Sequence, residues 1–162
     1  MTDRRTDRII DVNLNRLSEG LRVVEDVVRL GLEKPRLLAG VRSLRTRIGK
    51  ETRALRKRVI LSRQSETDLG RGDRFDRAKR KSLEDVLLAN FKRAEEAARV
   101  LEEVLKLSDR ALAARLKAVR FRLYDLEKLT AVAVSQVKVQ SAKCKMQNDG
   151  GRSGGAESEE SA

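Results

Sequence analysis

The chain has 162 residues, one domain's worth, and 37 Lys and Arg against 25 Asp and Glu give it a formal charge of +12. With no His, a lone Cys144, one Pro and 2% aromatics, it excludes His-centred catalysis, an intramolecular disulfide and the usual zinc site, and it favours helices over sheet. No signal peptide and no apolar run of about 18 residues is found, so a soluble cytoplasmic protein is expected, and its charge asks for an anionic partner: nucleic acid, a phosphorylated metabolite or a membrane surface.

Four amphipathic helices are predicted. The first covers about 7–31, with a single apolar stripe of Ile10, Leu14, Leu17, Leu21, Val24 and Val28. Gly31 and Pro35 break it. The second covers about 35–61 through Leu37, Val41, Leu44, Ile48, Leu55 and Val59. A polar linker rich in Arg, Asp and Gly, 62–82, is long for a bundle connection. The third helix covers about 83–107, with Ser82 as N-cap and a stripe of Leu87, Phe91, Ala94, Ala98, Leu101 and Leu105. The fourth starts near Ser108 or Asp109 and uses Leu112, Leu116, Val119, Leu123, Leu126, Thr130, Ala133 and Val137. The Gly/Ser/Glu-rich end, 141–162, reads as a disordered tail beyond a 1–140 domain.

The first and third helices are copies. Asn13–Val27 returns as Asn90–Val104 after a shift of 77 residues, with seven of fifteen positions identical. Each half, about 7–61 and 83–140, is then a helical hairpin with an uncovered apolar stripe. The expected fold is all-α, a pseudo-two-fold four-helix bundle made of the two hairpins. The repeated polar pattern is Asn-x-x-Arg-x-x-Glu-x-x-Arg: Asn13, Arg16, Glu19 and Arg22, then Asn90, Arg93, Glu96 and Arg99. Steps of three drift backward by about 60° on a helix. Asn13 and Glu25 therefore border the apolar face, Arg16 and Arg22 lie on opposite sides, and Glu19 points outward. The four cannot all meet one ligand from one helix, which suggests two subsites, one along each edge. The competing explanation is that pairs such as Glu19–Arg22 and Arg22–Asp26 stabilise the helix by about 0.2–0.5 kcal/mol each.

In the linker, Ser62-Arg63-Gln64-Ser65-Glu66-Thr67-Asp68-Leu69-Gly70 holds further chemistry. Arg63 offers a fork for phosphate, Asp68 an oxygen for magnesium, and Gly70 a residue able to take a positive φ and bring N–H groups to an anion. A solvated tether is the bland alternative, and no P-loop is present.

Asp11–Val28, the Arg63 to Gly70 segment, Ala89–Glu103 and Val119-Arg120-Phe121-Arg122-Leu123-Tyr124-Asp125-Leu126-Glu127 together resemble the non-ribokinase, all-helical hydroxymethylpyrimidine-phosphate kinases, often fused ahead of thiamine-phosphate synthase. The resemblance covers about 8–128, with Leu30 where an aromatic is common and Leu69 where Val is common. It implies ATP- and Mg²⁺-dependent phosphorylation of hydroxymethylpyrimidine phosphate to the diphosphate used in thiamine synthesis. The implied roles put phosphates on Arg16, Arg93 and Arg63, and Mg²⁺ on Glu19, Glu96 or Asp68. Asn13 or Asn90 reads the aminopyrimidine, Arg22, Arg99 and Gly70 line the substrate, and Tyr124 or Phe121 either stacks on a ring or packs in the core. Because Glu19 points outward, either the linker or a second subunit has to cover it, which suggests a homodimer with sites at the junction. The alternatives are a non-catalytic helical dimerisation module, a nucleic-acid-binding module, and a chain labelled thiamine-phosphate synthase only through its fusion homologues. Scarce aromatics and interleaved acids argue against nucleic acid.

Overall fold

The computed structural model describes residues 3–72 and 79–150, with the backbone alone for 71, 72, 142 and 144–150. The described residues are helical and contain no strand. Among the described residues there are five α-helices: α1 (Arg4–Val27), α2 (Pro35–Glu51), α3 (Arg53–Val59), α4 (Leu83–Leu105) and α5 (Arg110–Gly150).

The chain breaks where backbone chemistry changes. After α1 a wide turn, Val28–Leu32, leads to Glu33 in the left-handed region at φ 51°, and Pro35 opens α2. The single second helix expected over 35–61 is divided at Thr52, whose hydroxyl donates to the Ile48 carbonyl. That back-bond lets the helix bend, and α3 leans so that Arg56 and Arg58 reach α1. Ser82 caps α4 by accepting from the Asp85 amide, and Asp109 Oδ1 accepts from the Leu112 amide at the start of α5. The helix expected to end near 140 continues to Gly150, because 141–149 contains neither Gly nor Pro. The rest of the expected tail, 151–162, lies outside the described residues.

Every apolar residue of the α1 and α4 stripes is buried. The two copies lie against each other and run antiparallel: Gly20 meets Asn90 and Ala94, and Gly31 meets Leu83. Within each half the pairing is also antiparallel. Glu25 of α1 binds Arg42 and Arg45 of α2, and Glu102 of α4 binds Arg120 of α5. These glutamates occupy equivalent repeat positions, both are buried, and each bridges to the next helix. Their identity between copies therefore has a packing cause.

The closest approach of α1 to α4 is at Gly20. A Cβ there would stand 2.9 Å from the Asn90 carbonyl oxygen, a backbone atom that can move only with its helix. Gly20→Ala gains about 1 kcal/mol of helix propensity but overpacks the crossing, at a cost of about 1–3 kcal/mol. The expected outcome is a lower urea midpoint; an unchanged or raised midpoint would show that the crossing yields freely.

Candidate anion-binding site

A wide hollow of about 750 Å³ lies between the N-terminal half of α1 and the start of the linker. The α1 wall carries Arg5, Arg8, Asn13, Arg16 and Glu19, and the linker wall carries Arg63, Gln64, Ser65 and Asp68. Residues 5, 8, 12, 15, 16 and 19 follow the three-to-four spacing of one helix face, beside the buried stripe. Ser62–Leu69 arches over that face because the helical path ends at Ser62 and Arg63 takes an extended conformation.

Three ties hold the second wall to the first. Arg58 Nη1 donates to both oxygens of Asp7, at 2.8 and 3.0 Å. Arg56 donates to Asn15 Oδ1, the Leu14 carbonyl and Ser18 Oγ. Arg63 makes a bidentate pair with Asp11, Nε to Oδ2 at 2.7 Å and Nη2 to Oδ1 at 2.8 Å. Hydrogen bonding to Asp11, followed by its charge, raises the Arg63 pKa further, so this guanidinium stays cationic.

The hollow is electropositive. Arg5, Arg8 and Arg16 form no ion pair within 4 Å among the described residues, whereas Arg63 keeps one. Asn13 donates its amide nitrogen to the Ile9 carbonyl at 2.9 Å, which leaves its side-chain oxygen as the group available to a ligand. Asp68 Oδ1 accepts from the Gly70 amide at 2.9 Å. No cluster of three or more metal-ligating carboxylates, Cys or His exists among the described residues. Glu19 and Asp68, two of the carboxylates expected to hold Mg²⁺, both line the hollow.

The structure brings together Asn13, Arg16, Glu19, Arg63 and Asp68 of the expected site. Three positions of the α1 motif share one hollow, rather than dividing between two edges, because the arching linker supplies the facing wall that a bare helix lacks. The other expected residues do not line it. Arg22 faces Asp26 at 3.9 Å, and Arg99 pairs with Glu102 and Glu103. Asn90 bonds the Val86 carbonyl, and Arg93 and Glu96 sit exposed on α4. Tyr124 accepts from Arg120 and packs edge-on to Phe121, away from the hollow. Gly70 takes no positive φ, because an Asp68 side-chain turn leads into a helical turn that needs none. Sequence reasoning missed Arg5, Arg8 and Asp11 as site components; the spacing of Arg5 and Arg8 along the Arg16 face was the available signal.

The second repeat carries a different feature. Glu95, the counterpart of Ser18, is 4% exposed, and its Oε1 has no hydrogen-bond partner. Burial, then the nearby Glu127 carboxylate, pushes its pKa up to about 7, with Lys92 opposing and Glu96 adding. The raised value means that the folded chain holds a proton which the unfolded chain releases near 4.5. This contribution is therefore fully present below about 4.5 and lost as pH rises through about 7. Glu95→Gln is expected to stabilise the protein by about 1–2 kcal/mol at pH 8.5 and by almost nothing at pH 5. Melting curves across that range check it; parallel curves would refute it.

The family model for ThiD2 matches residues 8–129. The chain belongs to the ThiD2 family. Among curated relatives, thiamine-phosphate synthase of Synechococcus sp. (strain CC9605) is 44% identical over 126 residues, covering 77% of this chain and 35% of the relative. Thiamine-phosphate synthase of Thermosynechococcus vestitus (strain NIES-2133 / IAM M-273 / BP-1) is 39% identical over 137 residues, covering 83% and 38%. That of Gloeobacter violaceus (strain ATCC 29082 / PCC 7421) is 42% identical over 121 residues, covering 74% and 35%. This ThiD2 chain spans a little over a third of the length of these relatives. No solved structure matches it. No described helix is long and apolar enough to cross a membrane.

Proposed function

We propose that this ThiD2 domain transfers the γ-phosphoryl group of ATP to hydroxymethylpyrimidine phosphate, making the diphosphate for thiamine synthesis. The observation that carries the reading is the hollow itself. Three arginines that form no ion pair among the described residues, and an Arg63 oriented by Asp11, share the hollow with Glu19 and Asp68, and Arg16, Glu19, Arg63 and Asp68 stand on segments that resemble this kinase family. Its relatives are named thiamine-phosphate synthase, which supports a role in thiamine synthesis.

The chemistry asks little of the protein beyond placement. The acceptor is a phosphate oxygen already ionised at neutral pH, so no general base is required and the absence of His is no obstacle. Arg16 and Arg63 neutralise the charge of the transferring group, while Arg5 and Arg8 hold the flanking phosphates. Asn13 accepts from the exocyclic amino group of the pyrimidine through its remaining oxygen. Mg²⁺ bound with ATP, near Glu19 and Asp68, supplies further neutralisation of the phosphates. Glu19 lines the hollow and remains exposed there, so the proposal keeps a second subunit as the group that covers it.

The test is incubation of purified protein with Mg·ATP and either the pyrimidine monophosphate or the unphosphorylated alcohol, followed by chromatography for ADP and product. The expected result is diphosphate from the monophosphate. No turnover of either acceptor would overturn the reading.

A further inference from the structure

The two halves begin alike and part at one level. On α1, Asp7 binds Arg58; at the equivalent place on α4, Glu84 binds Lys138 of α5. Beyond Arg58 the first half leaves its helix at Ser62 and turns back over α1. Beyond Lys138 the second half stays helical to Gly150. The residue that receives the returning chain is Asp11, 2% exposed, with both oxygens taken by Arg63. Its counterpart 77 residues later is Leu88, 39% exposed, which can hold no guanidinium.

Geometry also decides what Arg63 presents. Of its five N–H groups, those on Nε and one on Nη2 point to Asp11. The Nη1 edge remains for an anion in the hollow that Arg63 lines. A bidentate carboxylate fixes the guanidinium plane as well as its position. Without Asp11, the side chain of an exposed loop would sample many rotamers, and ordering them on binding would weaken any phosphate contact.

We propose that each chain carries one polyphosphate-binding site, built in the first repeat alone, with Asp11 as the positioning residue that aims Arg63 into it. For turnover this rests on the phosphotransfer reading above, but the binding claim stands apart from it.

Calorimetry with inorganic triphosphate on the full chain tests the claim directly. One site per chain is expected, with at least about tenfold weaker binding in Asp11→Asn and in Arg63→Gln. The double variant should bind no more weakly than Arg63→Gln alone, since Asp11 acts through Arg63. Asp11→Glu, which keeps a carboxylate, should recover most of the affinity. Arg63→Lys, which keeps a cation beside the buried Asp11 but loses the planar fork, should also bind triphosphate more weakly and remains informative if Asp11→Asn or Arg63→Gln melts early. Absence of triphosphate binding, two sites per chain, wild-type affinity in Asp11→Asn, or multiplicative losses in the double variant would each overturn the proposal. Binding as expected in a protein that turns over neither pyrimidine would uphold this site and remove the kinase reading instead.

Discussion

Arg16→Ala is expected to lower kcat/KM for the pyrimidine phosphate by on the order of 100- to 1,000-fold while leaving the fold intact. The two halves of that expectation have different causes. Arg16 is exposed, makes no ion pair within 4 Å among the described residues and lines the hollow, so its removal costs little packing. Exposed substitutions of this kind usually stay within about 0.5 kcal/mol of wild type in stability. The activity loss follows because a loose phosphoryl-transfer transition state is stabilised almost entirely by placed positive charge. Arg93, its copy on α4, supplies the contrast. It lies outside the hollow and sits exposed on α4, so Arg93→Ala should stay within about threefold of wild-type kcat/KM if only placed charge in the hollow matters. Steady-state kinetics beside circular dichroism decides the matter. Near wild-type kinetics in Arg16→Ala would take Arg16 out of the site, and equal losses in both variants would mean that both halves act.

Much of this arrangement was legible in the sequence, because helical periodicity and duplication are local signals. The stripe from Ile10 to Val28 identified the buried face of α1, and its repeat from Leu87 to Leu105 identified that of α4. Glu25, placed at the border of the apolar face by rotation alone, is indeed buried beside it. The turn-back after Ser62 was not legible. It depends on Arg63 meeting Asp11, 52 residues earlier, and no local propensity encodes such a pair. The same limit explains why repeat identity overstated the second half of the candidate site. Asn90 shares with Asn13 a side-chain bond to the carbonyl four residues back, and Glu102 shares with Glu25 a bridge to the next helix. Identity at those positions has a structural cause in both copies. Among the described residues, only in the first does the chain then fold back to turn the face into a hollow.

The paired bridges allow a prediction about which half is the stiffer, and burial decides its sign. Glu102→Ala should destabilise the chain by about 3–5 kcal/mol, because breaking a buried pair leaves an uncompensated charge. Arg120, its partner, has a side chain only 13% exposed and lies 5.1 Å and 5.6 Å from the centroids of the Phe121 and Tyr124 rings. It has little room to turn toward water. Glu25→Ala breaks two interhelical bridges, where Glu102→Ala breaks one interhelical bridge and one to Arg99 on its own helix, yet should cost less, about 1–2 kcal/mol. The side chain of Arg42 is 52% exposed and that of Arg45 30%, so both can swing into solvent once released. Acid separates the effects further. Burial pushes the Glu25 pKa up, but hydrogen bonds and charge from Arg42 and Arg45 outweigh it and leave the carboxyl below its usual 4.5. Its bridge therefore contributes stability above about 4.5 that fades as pH falls through the lowered folded value. The gap between Glu25→Ala and wild type should narrow below pH 4. Urea unfolding of both variants at pH 7 ranks them. A larger loss in Glu25→Ala than in Glu102→Ala would show that the number of interhelical bridges outweighs desolvation of the stranded arginine, and would move the rigid half of the molecule to the one that bears the hollow.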